Sequence, residues 1–444
     1  MLTRIEIDGF KTFEAFGLDL EPLTAIVGPN ASGKSNLFDA LRFLSLLAQH
    51  DIRTAMQDLR GEPEELFRRT SGGCSGRMSF ALEVFLGADG VDAFGTEFKT
   101  PARRLRYELE LALTQTADGV ARGIFVHRED CRPILQKDER STFIRAMKFS
   151  RNARVNPFIQ VADSGDAILV RQDGRQKHGR PMRLSLREAP RTALSTVTTA
   201  EFPHLYALRQ VLAGVRFLEI NPRAASGAND RFEAHALRPD ASNLAAVLAH
   251  LKETTADKHR PDGVLADIAA DLTSLIPSVR RLQIRDDPNQ RQYSFSLQFE
   301  GDLVFSSRVI SDGTLRLLAL LTVLNDPDRQ GTLCFEEPEN GVHEGRVPML
   351  VEFLRDAAQV SDSPGSRSFQ VLLNTHSPKV MSALRDHEIV AADSVVTIDP
   401  ASGTRTAKTR MRREIRSTRD LIDPELYLSR SEVERLLQIQ ADAA

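Results

Sequence analysis

One eight-residue segment constrains this chain more than any other. Residues 28–35 read Gly-Pro-Asn-Ala-Ser-Gly-Lys-Ser, which matches the pattern GxxxxGK[ST]. Glycines in such a loop let backbone N–H groups turn inward around phosphates without interference from a Cβ atom. The apolar segment Leu23–Val27 before it predicts a strand, and Leu37, Leu41 and Leu44 share one face of a predicted helix after it. The segment therefore predicts a strand, a phosphate-binding loop and a helix.

The residue types in this loop predict ATP and Mg²⁺ as its ligands. The helix that begins at Lys34 directs its positive end toward the phosphates. We expect Lys34 to reach the β- and γ-phosphates and the Ser35 hydroxyl to hold Mg²⁺. The predicted nucleotide-binding residues are Gly28, Asn30, Ser32, Gly33, Lys34, Ser35 and Asn36. The alternative is a chance match in a surface loop, against which the flanking strand and helix argue.

The composition is that of a globular protein with no bias toward one partner. The chain has 444 residues, of which 41% are apolar and 27% charged, and its net charge is −3. This excludes disorder of the whole chain and a chain-wide attraction to nucleic acid. The three cysteines form no CxxC pair, which favours a reducing compartment. No segment has the apolar length of a secretory signal or a membrane span, so we expect a cytoplasmic protein without a membrane partner.

A second chemical motif stands at the end of an apolar strand. Leu333–Phe335 is followed directly by Glu336 and Glu337. The last residues of such a strand lie at the carboxyl edge of a parallel sheet, where ligands bind. We expect Glu336 to face Mg²⁺ and Glu337 to orient or deprotonate the attacking water. The alternative is two solvated carboxylates, and it loses weight because a P-loop occurs in the same chain.

Two further polar motifs have structural alternatives. The strand Val371–Leu373 leads to His376, which is placed to hydrogen-bond the γ-phosphate or the attacking water, although a lone histidine is more often structural. Ser311 and Gly313 lie at the start of a predicted helix, where backbone N–H groups can bind phosphate. A serine at this position is also a routine helix cap. Taken singly, the Ser311 motif favours the helix cap.

The remaining pattern predicts alternating structural classes along the chain. Period-two segments predict antiparallel strands at 78–86 and 105–113, and 281–305 predicts two or three more. Helices are predicted from 239 and over 264–276, and residues 150–187 are expected to form loops or an insertion. The last third predicts a mostly parallel sheet, with a loop and helix at 310–324 and strands at 333–335, 371–373 and 395–398.

Two basic segments are candidates for contact with nucleic-acid phosphates. The first is 171–183, and the second is the run Arg405, Lys408, Arg410, Arg412, Arg413, Arg416 and Arg419. Such runs more commonly form a solvated face or pair with nearby acidic residues. DNA is therefore a candidate partner of the chain.

The order of the motifs is more specific than any one of them. A P-loop is followed by Ser-Asp-Gly-Thr (311–314), Glu-Glu-Pro-Glu-Asn-Gly (336–341) and Thr-His-Ser-Pro (375–378). This order, with Ile-Glu-Ile-Asp-Gly-Phe-Lys-Thr-Phe at residues 5–13, resembles the ABC-type ATPase heads of the SMC, RecF and OLD families. Within that group the chain is most similar to prokaryotic ATPases that carry these three motifs. Residues 131–236 match only loosely.

The resemblance implies an α/β P-loop NTPase fold, an ABC-type ATPase head with an antiparallel β portion and a helical middle segment. It divides the chain into a first lobe at 1–220, a middle segment at 221–300 and a second lobe at 301–444. It also implies that two ATP molecules are held between two copies of the chain. Ser311 and Gly313 would touch the γ-phosphate bound to the other copy, His376 would act as the switch residue, and the loop at 340–341 would link the two sites.

The implied activity is a Mg²⁺-dependent ATP hydrolase that works as a clamp. ATP would close a homodimer, or a dimer with a related head, on DNA or on a partner protein in prokaryotic DNA maintenance or defence against phage. The alternative is a slow regulatory sensor that holds an effector, such as a nuclease or toxin encoded nearby. Asp312 replaces a signature glycine, and this departure together with the large antiparallel insert argues against a transporter subunit. Glu336 stands where the usual magnesium ligand is an aspartate. The segment after His376 is too short for a TOPRIM-type nuclease, so we expect none in this chain.

Overall fold

The computed structural model describes residues 1–70, 73–115, 121–147, 156–173, 181–361, 365, 367–398, 405–414 and 427–441. Its strands are β1 (Leu2–Asp8), β2 (Phe16–Asp19), β3 (Leu23–Val27), β4 (Arg69–Thr70), β5 (Gly73–Cys74), β6 (Arg77–Phe85), β7 (Asp89–Val91), β8 (Glu97–Lys99), β9 (Arg104–Gln115), β10 (Ala121–Pro133), β11 (Ile159–Val161), β12 (Ala167–Val170), β13 (Met182–Ser185), β14 (Val215–Leu218), β15 (Asn229–Asp230), β16 (Val279–Asp287), β17 (Gln292–Phe299), β18 (Val304–Ser306), β19 (Gly331–Glu336), β20 (Phe369–Thr375), β21 (Ile389–Ile398), β22 (Arg405–Glu414) and β23 (Tyr427–Leu428). Its α-helices are α1 (Lys34–Leu47), α2 (Ile52–Gln57), α3 (Thr142–Ala146), α4 (Pro203–Ala213), α5 (Pro222–Ala225), α6 (Leu244–Thr255), α7 (Leu265–Leu275), α8 (Asp312–Asn325), α9 (Val347–Ala357), α10 (Pro378–Ala383) and α11 (Arg430–Ala441). Within these ranges, the helices are all too short or too polar to cross a membrane.

Two large sheets form the framework. The first is antiparallel, with eight strands in the order β13-β12-β11-β10-β9-β6-β1-β2. The second has seven strands in the order β14-β19-β20-β3-β21-β22-β23, and its first five strands are parallel to one another. A smaller sheet of β15 to β18 lies with α6 and α7. The predicted α/β fold with an antiparallel portion and a helical middle segment is therefore confirmed.

Alternation along the parallel strands divides the interior into two cores. Ile26 and Leu372 are buried together with α1 and the antiparallel sheet. Ala25 and Leu373 are buried on the opposite face, among α6 to α9. Because successive strand residues point to opposite faces, a continuous apolar run such as Leu23–Val27 supplies both cores at once.

Helix α1 lies between the two sheets because its apolar positions cover most of its circumference. Leu37, Leu41 and Leu44 are almost fully buried, as the helical spacing predicts. Phe43 extends this contact and stacks on Phe10, with 6.1 Å between the ring centroids. The helix is thereby held with its first turn at the carboxyl edge of the parallel sheet.

A buried amide connects the two sheets directly. The Gln370 side chain on β20 donates to the carbonyl of Leu2 at 2.8 Å and accepts from the Leu2 N–H at 3.1 Å. It also donates to the Glu21 carbonyl at 3.0 Å. An unpaired amide in this position would carry a full desolvation cost, so the satisfied network specifies how the sheets meet.

Two segments differ from the sequence-based prediction. The described parts of 150–187 contain three strands, β11 to β13, and not only loops; the strands are too short to show a period of two, and Ile159 and Val170 anchor them in the core. A strand is present at 395–398 as predicted, but the prediction that it belongs to the parallel part of the sheet is wrong. Strand β21 joins the parallel sheet only through Ile389–Ala391, and its later residues pair antiparallel with β22.

A fully buried carboxyl group makes the stability of the first core dependent on pH. Glu129 accepts hydrogen bonds from the N–H groups of Ala193 and Leu194 and from the Tyr107 hydroxyl. Burial nevertheless raises the pKa of Glu129 from 4.5 to about 7. The folded state therefore holds this proton more tightly than the unfolded state, and stability is lost as pH rises through this window.

We expect the free energy of unfolding to fall by about 3 kcal/mol between pH 4.5 and pH 8 because of this group alone. Urea unfolding of the parent and of Glu129→Gln across this range measures the effect. The difference between the two proteins isolates Glu129 from the other carboxyl groups. If the free energy of unfolding changed with pH by the same amount in both proteins, Glu129 would not be the titrating group.

Candidate functional site

The carboxyl edge of three neighbouring parallel strands brings the predicted motifs together. Strand β20 lies between β3 and β19, with Thr375 opposite Val27 and Asn374 opposite Glu336. The P-loop follows β3, the carboxylates end β19, and His376 follows β20. Residues that are more than 300 positions apart in sequence therefore meet at one edge because parallel strands end on the same side.

The P-loop has the backbone shape of an anion cradle. Ala31 and Gly33 both have positive φ, 61° and 92°. A Cβ on Gly28 would lie 2.2 Å from the Ala392 carbonyl oxygen, and one on Gly33 would lie 1.9 Å from the Thr409 hydroxyl. No side chain caps the N-terminus of α1. The loop thus requires glycine at both positions and leaves the helix end to an external anion.

Lys34 is bonded within the loop itself. Its Nζ donates to the carbonyls of Gly28 and Pro29 at 2.7 Å each. Burial lowers the pKa of Lys34, while the nearby carboxylates of the β19 edge oppose that shift. The Ser32 hydroxyl is buried without a hydrogen-bond partner. An ammonium held only by carbonyls beside an unsatisfied donor fits a site made for phosphate oxygens.

The other P-loop side chains predicted to bind nucleotide take different positions. Asn30 is exposed at the rim, and Ser35 is half-buried in the first turn of α1. Asn36 donates from Nδ2 to the Thr12 hydroxyl at 2.8 Å. In turn, the Thr12 hydroxyl lies 2.6 Å from the Thr409 hydroxyl. Asn36 therefore joins α1 to the loop after β1 and to β22, a structural contact that the motif alone does not indicate.

Glu336 and Glu337 lie at the end of β19 and have distinct environments. The Glu336 carboxylate accepts from Nδ2 of Asn374 at 2.9 Å. Glu337 has a φ of 49°, and its carboxylate accepts from Asn340 at 2.8 Å and lies 3.0 Å from His376 Nδ1. A non-glycine residue in the left-handed region at a ligand edge is a mark of a functional site. In this turn the Glu337 carboxylate lies beside Asn340 and His376.

Glu339 is a member of the site that the sequence reasoning did not single out. It accepts from the Thr375 hydroxyl, and its second carboxylate oxygen is buried without a hydrogen-bond partner. Burial raises its pKa. The prediction stopped at Glu336 and Glu337 because they directly follow the apolar strand. The Glu-Glu-Pro-Glu sequence nevertheless shows a third carboxylate in the same motif. Asn374, Thr12 and Thr409 carried no such signal.

The predicted signature lies at the N-terminus of α8 and caps it. Ser311 accepts from the Thr314 N–H at 3.3 Å, and its side chain is exposed. A Cβ on Gly313 would lie 2.8 Å from the Cα of Gly341. Ser311 is therefore a helix cap, as one of the two interpretations predicts. The start of the same helix also contacts the loop that carries Asn340. The described contacts of Ser311 do not include the P-loop of its own chain.

Gly313→Ala is expected to disturb the carboxyl edge of the sheet through the 340–341 loop. The new Cβ would meet backbone atoms, which no rotamer change can relieve, so the 340–341 loop must move. Asn340 would then lose its bond to Glu337. We expect roughly a tenfold fall in kcat for ATP and a stability loss of about 1–3 kcal/mol, with ATP affinity unchanged. A matched Gly345→Ala variant, where a Cβ meets nothing closer than 3.5 Å, should retain full activity.

The C-terminal basic run is largely paired with acidic groups. Arg410 and Arg412 both lie 2.7 Å from the Asp393 carboxylate. Arg413 lies 3.4 Å from Glu21. Outside the described residues lie Arg416, Arg419 and residues 174–180 of the other basic segment. Arg410, Arg412 and Arg413 therefore follow the pairing alternative, since they bind acidic side chains of the fold.

The P-loop, the Ser311–Thr314 motif, the paired glutamates and His376 all fall within the match to one sequence family. The family described as "AAA domain, putative AbiEii toxin, Type IV TA system" matches residues 23–382, from the strand before the P-loop to beyond His376. The chain belongs to this AAA-domain family. Membership and the strand order at the site confirm the predicted ABC-type ATPase head of the SMC/RecF/OLD-like group. The family is one of nucleotide-binding ATPases, for which Mg²⁺ is the usual metal.

Curated relatives share only short segments with this AAA-domain chain. The chromosome partition protein Smc of Methanocaldococcus jannaschii is 52% identical over 44 residues, 10% of this chain and 4% of that protein. The Smc of Bacillus subtilis is 38% identical over 95 residues, 21% of this chain and 7% of that protein. The chain thus spans less than a tenth of the length of these relatives. A solved SMC head, bound to the C-terminal winged-helix domain of ScpA, aligns with a TM-score of 0.48 and 14% identity over 93% of this chain and 97% of that one.

Proposed function

We propose that this chain is an ATP hydrolase in which two copies close around two ATP molecules. One observation carries the proposal: a P-loop, a paired glutamate and a histidine meet at the carboxyl edge of three adjacent parallel strands. Glu337 is held there by Asn340 and His376, at 2.8 and 3.0 Å. This is the arrangement that phosphoryl transfer to water needs, because the chemistry depends mainly on positioning and charge stabilisation.

The donor atoms at this edge suit a hard divalent cation. Ser35 and Glu336 supply oxygen ligands, which Mg²⁺ prefers, and the Asn374 amide orients the Glu336 carboxylate. Mg²⁺ bound there would supply neutralisation of the charge on the phosphate oxygens. The three carboxylates near Lys34 would otherwise repel a triphosphate, so the metal also explains why the site combines acidic side chains with an anion cradle.

Each polar side chain then has a defined task. Lys34 exchanges its two carbonyl acceptors for phosphate oxygens, and the backbone N–H groups of the loop bind the same phosphates. Glu337 accepts a proton from the attacking water. His376 donates a hydrogen bond to the γ-phosphate and, through its contact with Glu337, places the base relative to that phosphate.

The second copy completes the site through the signature. Ser311 is exposed and lies at the N-terminus of a 14-residue helix, so its hydroxyl and the helix end can meet a γ-phosphate held by another copy. The contact between Gly313 and Gly341 connects this surface to Asn340 and therefore to Glu337. Closure of the dimer would thus be transmitted to the catalytic base along one short path.

The clamp is proposed to act on a partner protein rather than on DNA. Arg410, Arg412 and Arg413 of the C-terminal run are already bound to Asp393 and Glu21, which reduces the charge available for a phosphate backbone. A head that holds and releases a partner, such as an effector in prokaryotic defence, needs no basic surface. DNA binding in prokaryotic DNA maintenance remains the second candidate, and the net charge of −3 does not favour it.

Steady-state ATP hydrolysis with and without double-stranded DNA separates the two candidates. For the partner-gated clamp we expect the same rate at every DNA concentration and no retardation of labelled DNA at about 150 mM salt. An increase in rate that Arg405→Ala together with Lys408→Ala removes would establish the DNA clamp. Absence of hydrolysis with Mg²⁺ and ATP at chain concentrations that support dimers would refute both.

A further inference from the structure

A two-stranded ribbon extends beside the P-loop, beyond the edge of the parallel sheet. Strand β3 pairs with β21 only from Ile389 to Ala391, and the last pair joins Ala391 to Val27. Strand β22 continues to pair with β21 out to Ile398. The ribbon formed by residues 392–398 and 405–411 therefore rises next to the loop that follows Val27.

One face of this ribbon is directed toward the P-loop. Ala392 contributes to the core around α1 and would touch a Cβ on Gly28 at 2.2 Å through its carbonyl. Thr409 lies on the same face and covers Gly33. Since cross-strand partners share a face and residues alternate with a period of two, this face continues from the Ser394–Thr409 pair to the Val396–Ala407 pair.

Beyond Thr409 this face carries the Val396–Ala407 pair and then the Ile398–Arg405 pair. Val396 is 59% exposed and Ile398 58% exposed, and Ala407 and Arg405 are exposed beside them. The apolar part of the face therefore lies between Thr409 and the charged Arg405. A single exposed valine needs no explanation. Successive pairs on this face are about 7 Å apart along the ribbon. The first apolar pair follows Thr409, which covers the phosphate loop. The apolar residues therefore form a surface that is continuous with that loop.

The strand order sets the direction in which a nucleotide would lie. The groups expected at the γ-phosphate follow β19 and β20, on one side of β3. Strand β21 is the neighbour of β3 on the other side. A triphosphate bound across the P-loop with its γ end toward Glu337 and His376 must therefore direct its nucleoside end toward β21 and β22.

We infer that the face formed by Val396, Ile398 and Ala407 holds the nucleoside of the bound nucleotide by apolar contact. The inference rests on the proposed function, because it assumes that the P-loop binds a nucleoside triphosphate. It assigns to this chain's ribbon a task that no motif in its sequence indicates. The Val396 and Ala407 side chains offer contact area and no hydrogen bonds, so they recognise a flat, apolar ring surface.

The test compares two valines on opposite faces of the same strand. Val396→Ser removes contact area from the proposed face, while Val395→Ser makes the same change on the other face, where Val395 pairs with Lys408. Calorimetric titration measures the Kd of ATP and of inorganic tripolyphosphate for each protein. We expect Val396→Ser to raise the Kd of ATP about fivefold and to leave that of tripolyphosphate unchanged. Val395→Ser should match the parent for both ligands.

A gain-of-affinity variant makes the test independent of damage to the fold. Val396→Phe provides a ring on which a base can stack, and it should lower the Kd of ATP about fivefold or more without changing that of tripolyphosphate. Equal ATP affinities for the parent, Val396→Ser and Val396→Phe would overturn the inference and leave the proposed function standing. If neither ATP nor tripolyphosphate binds the parent chain, the proposed function itself fails and the inference with it.

Discussion

Replacing Glu337 by Gln is expected to lower the rate of ATP hydrolysis by about 10²–10⁴-fold, the range for loss of a general base. Gln retains the shape of the side chain and one oxygen acceptor for Asn340 or His376, so the strained turn at φ 49° should persist. What it loses is the negative charge that accepts a proton from water. ATP affinity should therefore stay within about twofold of the parent, because the P-loop contacts are unchanged.

A variant that binds ATP without hydrolysing it should accumulate in the closed state. We expect Glu337→Gln to form a stable dimer with ATP and Mg²⁺, visible by light scattering after size-exclusion chromatography, and to stay monomeric with ADP. Glu344→Gln is the matched control, since Glu344 is exposed in the same segment and has no assigned role. Hydrolysis by Glu337→Gln at the parent rate would remove Glu337 from the mechanism.

Lys34→Met is expected to abolish ATP binding while leaving the fold intact. Removal of one charge-stabilising donor alone costs about 10²–10³-fold in rate at comparable sites, and Lys34 also neutralises ground-state phosphate charge. Lys34 is buried, its pKa is lowered by that burial, and its only described hydrogen bonds are to two carbonyls of its own loop. Met removes the cost of burying the ammonium, which offsets the lost hydrogen bonds.

Thermodynamic linkage turns this expectation into a measurement. Unfolding by urea should give free energies within about 1 kcal/mol of each other for the parent and Lys34→Met without nucleotide. ATP at about one hundred times its Kd should stabilise the parent by about 2.7 kcal/mol and the variant not at all. A variant that ATP still stabilises by the full amount would show that Lys34 does not contact the phosphates.

The P-loop unit and the carboxylates at the edge of the sheet were predictable because their signals are local. A loop pattern between a strand and a helix, and carboxylates at the end of an apolar run, depend only on neighbouring residues. The rule that ligands meet the carboxyl ends of parallel strands then predicts that these residues share one edge. The order in which β20 lies between β3 and β19 comes only from the structure. The placement of Glu336, Glu337 and His376 at one edge agrees with that expectation, and their individual roles remain predictions that the experiments above address.

Other features depend on tertiary contacts that no local pattern reports. Thr409 lies on a strand far along the chain, yet it covers Gly33 and binds Thr12. Strands β11 to β13 have three or four residues each, too few for a period of two to emerge. The basic run at β22 is compatible with a nucleic-acid surface when only the sequence is known. The structure shows that Arg410 and Arg412 both bind Asp393.

The most direct test of the account is the ATP hydrolysis rate per chain as a function of chain concentration, measured beside Ser311→Arg. If each site needs the signature of a second copy, the rate per chain should rise with concentration and level off where sedimentation shows dimers. Ser311→Arg should stay at the low-concentration rate throughout, while its ATP affinity matches that of the parent. A parent chain that sediments as a monomer and hydrolyses ATP at a constant, undiminished rate would contradict the two-copy site.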